Sequence, residues 1–292
     1  RDFCLSRGLG DVYKRQLVHG YCLAPNEVAD IGMICGGNVT VFFQYFDPQA
    51  EADTALLCGI LDLLNGNQNS WLVYRMDEGC VSAMGTYDEA HGLRFTDCIT
   101  LGELRPMLCA DAVTKKGEPR YYVEPLTRAG YAYIFGGGHV GAALVPVLAS
   151  VDFRVVVYDN RPNFATPEHY PQAERVILGD YLDIGAHLTL TENDYVCIMT
   201  PGHQADREVL LQAMRSPATY IGCIGSRHKI KSTCAYLMEN GIPEEDLTRI
   251  HAPIGLDILG QTPAEIAVSI AAEMILHRAK QSGTAKKPRG EG

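Results

Sequence analysis

The sequence predicts an α/β protein: a doubly wound parallel sheet in the C-terminal half, preceded by a smaller α+β domain. Two observations carry this expectation. From residue 131 onward, short apolar runs rich in β-branched residues alternate with helical segments, the rhythm of parallel strands covered on both faces. The first of those runs opens into a glycine-rich turn and then a helix. At 292 residues the chain has room for two domains of ordinary size.

Taken in order, residues 17–30 show little regular pattern. The run 39–46, Val-Thr-Val-Phe-Phe-Gln-Tyr-Phe, is β-branched and aromatic and predicts a strand ended by Asp47-Pro48. Residues 50–64 place Ala55, Leu56, Ile60, Leu63 and Leu64 at helical spacing and stop at Asn65-Gly66. Segments 71–74 and 79–84 predict two paired short strands, and 121–126 a further one after a polar turn at 115–119. The domain boundary falls near 127–130. Strands are then expected at 131–135, 154–158, 175–178, 195–199 and 220–224, with helices at 140–150 and 229–239. Asn240-Gly241-Ile242-Pro243 supplies a helix C-cap and a breaker. Thr262-Pro263-Ala264-Glu265 reads as a capping box that opens a last helix, with Ile266, Ile270 and Met274 on one face. Residues 281–292 form a polar tail expected to fray.

Composition narrows the function classes. The net charge is −10 and no basic stripe appears, which argues against a nucleic-acid partner. Residues 131–151 carry no charged side chain, but their glycines and Pro146 break them into strand, turn and helix, so no membrane span is expected. Ten cysteines include no Cys-x-x-Cys, and the first residues lack an apolar signal segment. Reduced thiols in a cytoplasmic protein are the expectation.

Gly136-Gly137-Gly138-His139-Val140-Gly141 fits the pattern G-x-G-x-x-G of a Rossmann-type turn. Gly136 permits the tight turn, Gly138 lets a phosphate approach the backbone, and Gly141 allows close strand–helix packing. Asp159 ends the next strand 23 residues after Gly136, near the spacing of a ribose-binding carboxylate. Arg161 lies two residues on, either as a partner of Asp159 or as a bidentate phosphate ligand. A second glycine-bearing turn precedes Ser226, Arg227 and Lys229; Ser226 either caps the helix or joins the two cations in binding an anion, and the anion site is the favoured reading. His139, His203 and His251 follow strand ends or turns and form a candidate acid/base or ligand-contact set, each also readable as structural. Asp257 either serves the same crevice or bonds backbone amides of its own Pro- and Gly-containing loop. Cys35, followed by two glycines, is a candidate ligand for a soft metal or a carrier of sulfur, with an inert packed thiol as the plainer reading.

Four stretches resemble the XdhC/CoxI family of xanthine dehydrogenase accessory factors: residues 134–141, 221–227, 251–257 and 262–270, in that order. Upstream, Ala29-Asp30-Ile31-Gly32-Met33-Ile34-Cys35-Gly36-Gly37 resembles the end of the family's small N-terminal domain. The resemblance covers about residues 17–278. Residues 1–16 match nothing in the family, which implies an unrelated leading segment (1–16), an incomplete family-type N-terminal domain (17–127), a Rossmann-type domain (128–280) and the tail. It further implies maturation of molybdenum hydroxylases: binding molybdenum cofactor, assisting its sulfuration alongside a cysteine desulfurase, and inserting it into the apoenzyme. On that carry-over, the turn 136–141 with Ser226 and Arg227 holds the anionic part of the cofactor and Cys35 faces the metal. Two other readings stand beside it, an NAD(P)-dependent oxidoreductase using Gly136, Gly138, Gly141 and Asp159, and a nucleotide-sensing module without turnover. A homodimer stays open.

Overall fold

The computed structural model describes residues 17–22, 38–77, 80–94, 99–109, 112–115 and 120–281. Residues 1–16, Cys35 and the tail lie outside them. The chain divides into two compact units, Arg1–Arg128 and Ala129–Gly292.

In the first unit, β1 (Leu17–Cys22) pairs antiparallel with β2 (Asn38–Phe43). Nothing in the sequence pattern announces β1, because Gly20 and His19 interrupt its alternation. The strand expected over 39–46 ends at Phe43, where its pairing with Leu17 runs out. Helix α1 (Glu51–Asn65) follows. A five-stranded antiparallel sheet is then built from β3 (Ser70–Asp77), β4 (Cys80–Asp88), β5 (Gly92–Arg94), β6 (Val113–Lys115) and β7 (Arg120–Thr127), in the order β5-β4-β3-β7-β6. A single turn, α2 (Leu101–Leu104), carries its own capping box through Thr100 and Glu103. Val73, Tyr87, Leu104 and Val123 form the core of this unit.

The second unit holds a six-stranded, wholly parallel sheet. Its elements are β8 (Ala132–Phe135), α3 (His139–Ser150), β9 (Val155–Asp159), β10 (Arg175–Leu178), β11 (Tyr195–Ile198), α4 (His203–Met214), β12 (Tyr220–Cys223), α5 (Arg227–Glu239), β13 (Ile250–His251) and α6 (Pro263–Gln281). The strand order is β10-β9-β8-β11-β12-β13. Counted from β8, that is 3-2-1-4-5-6, the order of a dinucleotide-binding sheet. Side chains alternate between its faces. Tyr133, Phe135, Val156, Tyr158, Val196 and Ile198 join one buried cluster with Leu210 and Leu237. Ala132, Ile134, Val155, Val157 and Cys197 join the other with Leu144, Leu148, Ile270 and Met274. Because both faces are covered, the strands read as unbroken apolar runs.

Several local expectations are met at atomic detail. Gly241 takes φ +88 behind α5, and Ile242 N–H closes the cap on the Leu237 carbonyl at 3.0 Å. Thr262 and Glu265 exchange the two bonds of a capping box ahead of α6. Helix α4 and the two-residue β13 are elements that the sequence pattern does not announce. No described helix is long and apolar enough to cross a membrane.

Candidate functional site

The chain reverses direction through the sheet between β8 and β11, so the crevice expected of such a fold lies beyond the carboxyl ends of those two strands. The turn after β8 and the loop after β11 face it, each followed by a helix. The glycines of the turn have separate duties. Gly136 has φ +118, and a Cβ there would overlap the Met199 carbonyl oxygen. A Cβ on Gly141 would overlap the Gly136 oxygen, which makes it the packing glycine. Gly137 is pressed against Tyr170, whose buried hydroxyl donates to the Gly137 carbonyl at 2.6 Å. Gly138 is different: a Cβ there would meet nothing within 4 Å. It is the N-cap of α3 and offers no side-chain cap to the first N–H groups of the helix, at the positive end of the helix dipole. His139, the first residue of α3, is exposed beside them.

Asp159 ends β9 as a fully buried carboxylate. Its Oδ2 accepts from Gly137 N–H at 2.8 Å and from Arg161 Nη2 at 2.8 Å. Its Oδ1 accepts from the Arg161 N–H and Nε, both at 2.9 Å. Burial alone would raise its pKa, but the Arg161 guanidinium and these N–H groups hold it below the ordinary carboxylate value. Of the two roles read from sequence, pairing with Arg161 is the one the geometry displays, and it is a buried bond rather than a solvated surface pair.

Beyond β11, Thr200 donates both its N–H and its hydroxyl to Oδ1 of the buried Asp206, at 2.9 and 2.6 Å. The other oxygen of Asp206 binds Lys229 Nζ at 2.9 Å. Residues 226–229, where an anion site is expected, have these partners. The Lys229 ammonium is tied to Asp206, and the exposed Ser226 caps α5 by accepting from Lys229 N–H at 3.4 Å. The side chain of Arg227 lies outside the described residues.

The three histidines have different surroundings. His203 begins α4 with its Nδ1 buried and, among the described residues, unpartnered, and burial together with the cations Arg207 and Lys229 pushes its pKa down. It lines a cavity between α4 and α5 with Cys223 and Cys234, and burial raises the Cys223 thiol to about 12, which leaves it protonated. His251 is engaged elsewhere: its ring lies 4.4 Å from that of Tyr220, the first residue of β12, and its Nδ1 is 3.1 Å from Glu273 of α6. Asp257 is exposed and, among the described residues, bonds no backbone amide. Its loop is held instead by Glu273, which accepts from Gly255 N–H at 2.8 Å, and by Ser269, which donates to the Leu256 carbonyl. Cys58, Cys109, Cys197, Cys223 and Cys234 are free thiols, and among the described residues no group of three His, Cys, Asp or Glu side chains is placed to hold a metal. Cys35 lies outside the described residues. Sequence reasoning missed Tyr170, Tyr181 and Asp206; only the polar Asp206 in an otherwise unassigned segment left any trace.

Comparison with known proteins converges on one family. Residues 132–274 match the XdhC Rossmann domain. YqeB of Escherichia coli K12 is 31% identical over 143 residues, 49% of this chain and 26% of that protein. A Bacillus subtilis protein described as a probable xanthine dehydrogenase subunit is 28% identical over 156 residues, 53% of this chain and 44% of that one. The chain thus spans less than half the length of either curated relative. A Bacillus halodurans crystal structure described as a xanthine dehydrogenase superposes with a TM-score of 0.75 at 23% identity, covering 94% of this chain and 78% of its own, and so shares the fold. The glycine turn, the six parallel strands and most of the last helix fall inside the matched segment, and residues 132–274 are a Rossmann domain of the XdhC family.

Proposed function

We propose that this chain is an accessory factor in the maturation of a xanthine-dehydrogenase-type molybdenum hydroxylase, and that its Rossmann domain holds a phosphate-bearing ligand at residues 136–141. The observation that carries the proposal is the open N-terminus of α3 at Gly138, inside a domain of the XdhC family. The relative from Bacillus subtilis, described as part of a xanthine dehydrogenase, supports the choice of partner.

The ligand we favour is molybdenum cofactor, whose phosphate suits what the turn offers: backbone donors, a helix dipole and space where a side chain would stand. Gly138, His139 and Val140 would hold that phosphate by their N–H groups, and Gly136 and Gly141 shape the turn. Cys35 is assigned to the metal by family resemblance. When bound, the group supplies the molybdenum centre that the apoenzyme needs. The protein's part is to bind it, shield it while a cysteine desulfurase provides sulfur, and release it to the hydroxylase. A second reading, a nucleotide-sensing module, is favoured by the dinucleotide-type strand order.

The test is cofactor retention. The protein is mixed with molybdenum cofactor, gel-filtered, and assayed for oxidised pterin fluorescence in the protein peak, with and without excess NAD. Co-eluting pterin that NAD does not displace is expected. Gly138→Asp should abolish retention by setting a carboxylate where the phosphate sits, and equal retention by that variant would sink the cradle assignment. Saturable nucleotide binding without any pterin would move the conclusion to the second reading.

A further inference from the structure

The carboxyl ends of β8, β9 and β10 lie side by side, and what they present is unusual for a dinucleotide sheet. In such sheets the acid ending the second strand accepts the ribose hydroxyls. Asp159 stands in that place but has no acceptor capacity left. A carboxylate offers about four lone-pair sites, and Gly137 N–H, Arg161 N–H, Arg161 Nε and Arg161 Nη2 fill them. What faces outward is Arg161. Its side chain is one-third exposed, its guanidinium lies over the Phe164 ring at 3.6 Å, and only its Nε and one Nη2 hydrogen are spent on Asp159. Among the described residues, the Nη1 pair and the other Nη2 hydrogen have no acceptor, and they lie in the planar fork that suits a phosphate.

A second observation comes from the loop after β10. Tyr181 is 2% exposed, and its buried hydroxyl is turned toward the Asn160 backbone and the Asp159 carboxylate. The charged groups it senses are Asp159 and Arg161. It places a buried polar group against the same site, beside the Arg161 fork.

We propose that Arg161, fixed by Asp159 and flanked by the Tyr181 hydroxyl, forms an anion subsite that selects nucleotides carrying a phosphate monoester on the ribose over those with a free ribose diol. This rests on the reading of residues 136–141 as a phosphate cradle, since the cradle takes the ligand's first phosphoryl group and Arg161 its second. A ligand with a single phosphate fills the cradle alone. Donors without a free acceptor favour an anion; the diol of an unphosphorylated ribose would have to displace Arg161 from a buried carboxylate.

The experiment is calorimetric titration of the full chain with NADP+ and with NAD+, then with adenosine 2′,5′-bisphosphate and with AMP. The phosphorylated member of each pair is expected to bind roughly tenfold tighter or more. Arg161→Lys, which keeps the charge but loses the fork, should shrink that ratio to within a few-fold of one while NAD+ affinity stays within a few-fold. Tyr181→Phe should lower affinity for the phosphorylated ligands only. Equal or tighter binding of NAD+ and AMP by the unaltered protein would overturn the subsite and leave the cradle intact. Failure of all four nucleotides to bind would overturn subsite and nucleotide cradle together. A preference that persists unchanged in Arg161→Lys would assign the selectivity to another residue.

Discussion

At Gly138 the backbone has an ordinary φ of −69, and a Cβ would stand in open space. Gly136 and Gly141, two and three positions away, tolerate no side chain: one has φ +118, and added atoms at both would overlap backbone oxygens. The three glycines of one motif are therefore separable by experiment. Gly136→Ala and Gly141→Ala should each destabilise the domain by about 2–4 kcal/mol through backbone strain and forced separation of strand and helix. Gly138→Ala should change stability by less than about 1 kcal/mol, and Gly138→Asp should be neutral or slightly stabilising, because aspartate is a good N-cap. Urea midpoints of the variants check this; a Gly138→Ala loss as large as that of Gly136→Ala would mean that the turn is packed at Gly138 as well. At this scale the sequence was legible for the glycines, whose pattern states a backbone requirement. It was silent on Tyr170 and Tyr181, which reach the turn and Asp159 from loops far along the chain, and it could not show that Arg161 fills the oxygens of Asp159. Ser226 and Lys229 carry the right chemistry for an anion, but their nearest partners, a helix end and the buried Asp206, already use it.

At the scale of elements, Glu273 joins α6 to β12 and to the loop after β13. It accepts from Tyr220 Oη at 2.5 Å, from Gly255 N–H at 2.8 Å and from the His251 ring at 3.1 Å. Burial alone would raise its pKa, yet these partners lower it from 4.5 to about 2. Because the folded value is depressed, the stability contributed by this carboxylate is fully present above pH 4.5 and is lost as the pH falls toward 2. Its size should be about 2 kcal/mol after allowance for partial exposure. The urea stability of the native protein and of Glu273→Gln should differ by a constant amount above about pH 5, and the gap should close as the pH falls through the acid range. A gap independent of pH would show that the carboxyl acts through packing alone. The same scale shows why some elements were unreadable. Helix α4, His-Gln-Ala-Asp-Arg-Glu-Val-Leu-Leu-Gln-Ala-Met, starts at Gly202 without a capping side chain and buries the polar Asp206 in its first turn, so neither the start signal nor the apolar stripe is clear. Strand β13 is two residues long and exists only by pairing with β12. The strands of the central sheet, by contrast, were plain, because burial on both faces leaves little place for polar residues.

For the whole molecule, the distribution of buried clusters bears on which part of the chain can stand alone. Among the described residues, the two clusters that sandwich the parallel sheet contain only side chains from the second unit, and the cluster under the antiparallel sheet only side chains from the first. Both faces of the parallel sheet are thus covered by its own helices: α4 and α5 supply Leu210 and Leu237 on one side, α3 and α6 supply Leu144 and Met274 on the other. A domain of this size with a core on each face buries enough apolar surface to offset its conformational entropy without outside help. A fragment of residues 129–281 should therefore fold by itself and unfold in a single cooperative urea transition with loss of its helical ellipticity. It lacks Trp71, the sole tryptophan of the chain, so its tyrosines provide the fluorescence signal, while Trp71 in the full chain reports β3 of the other unit. If the cradle at 136–141 belongs to this unit alone, phosphate-bearing ligands that bind the full chain should raise the fragment's midpoint by the amount mass action requires. A fragment that shows no cooperative transition, or that folds but has lost a ligand the full chain retains, would mean that the first unit completes either the core or the site.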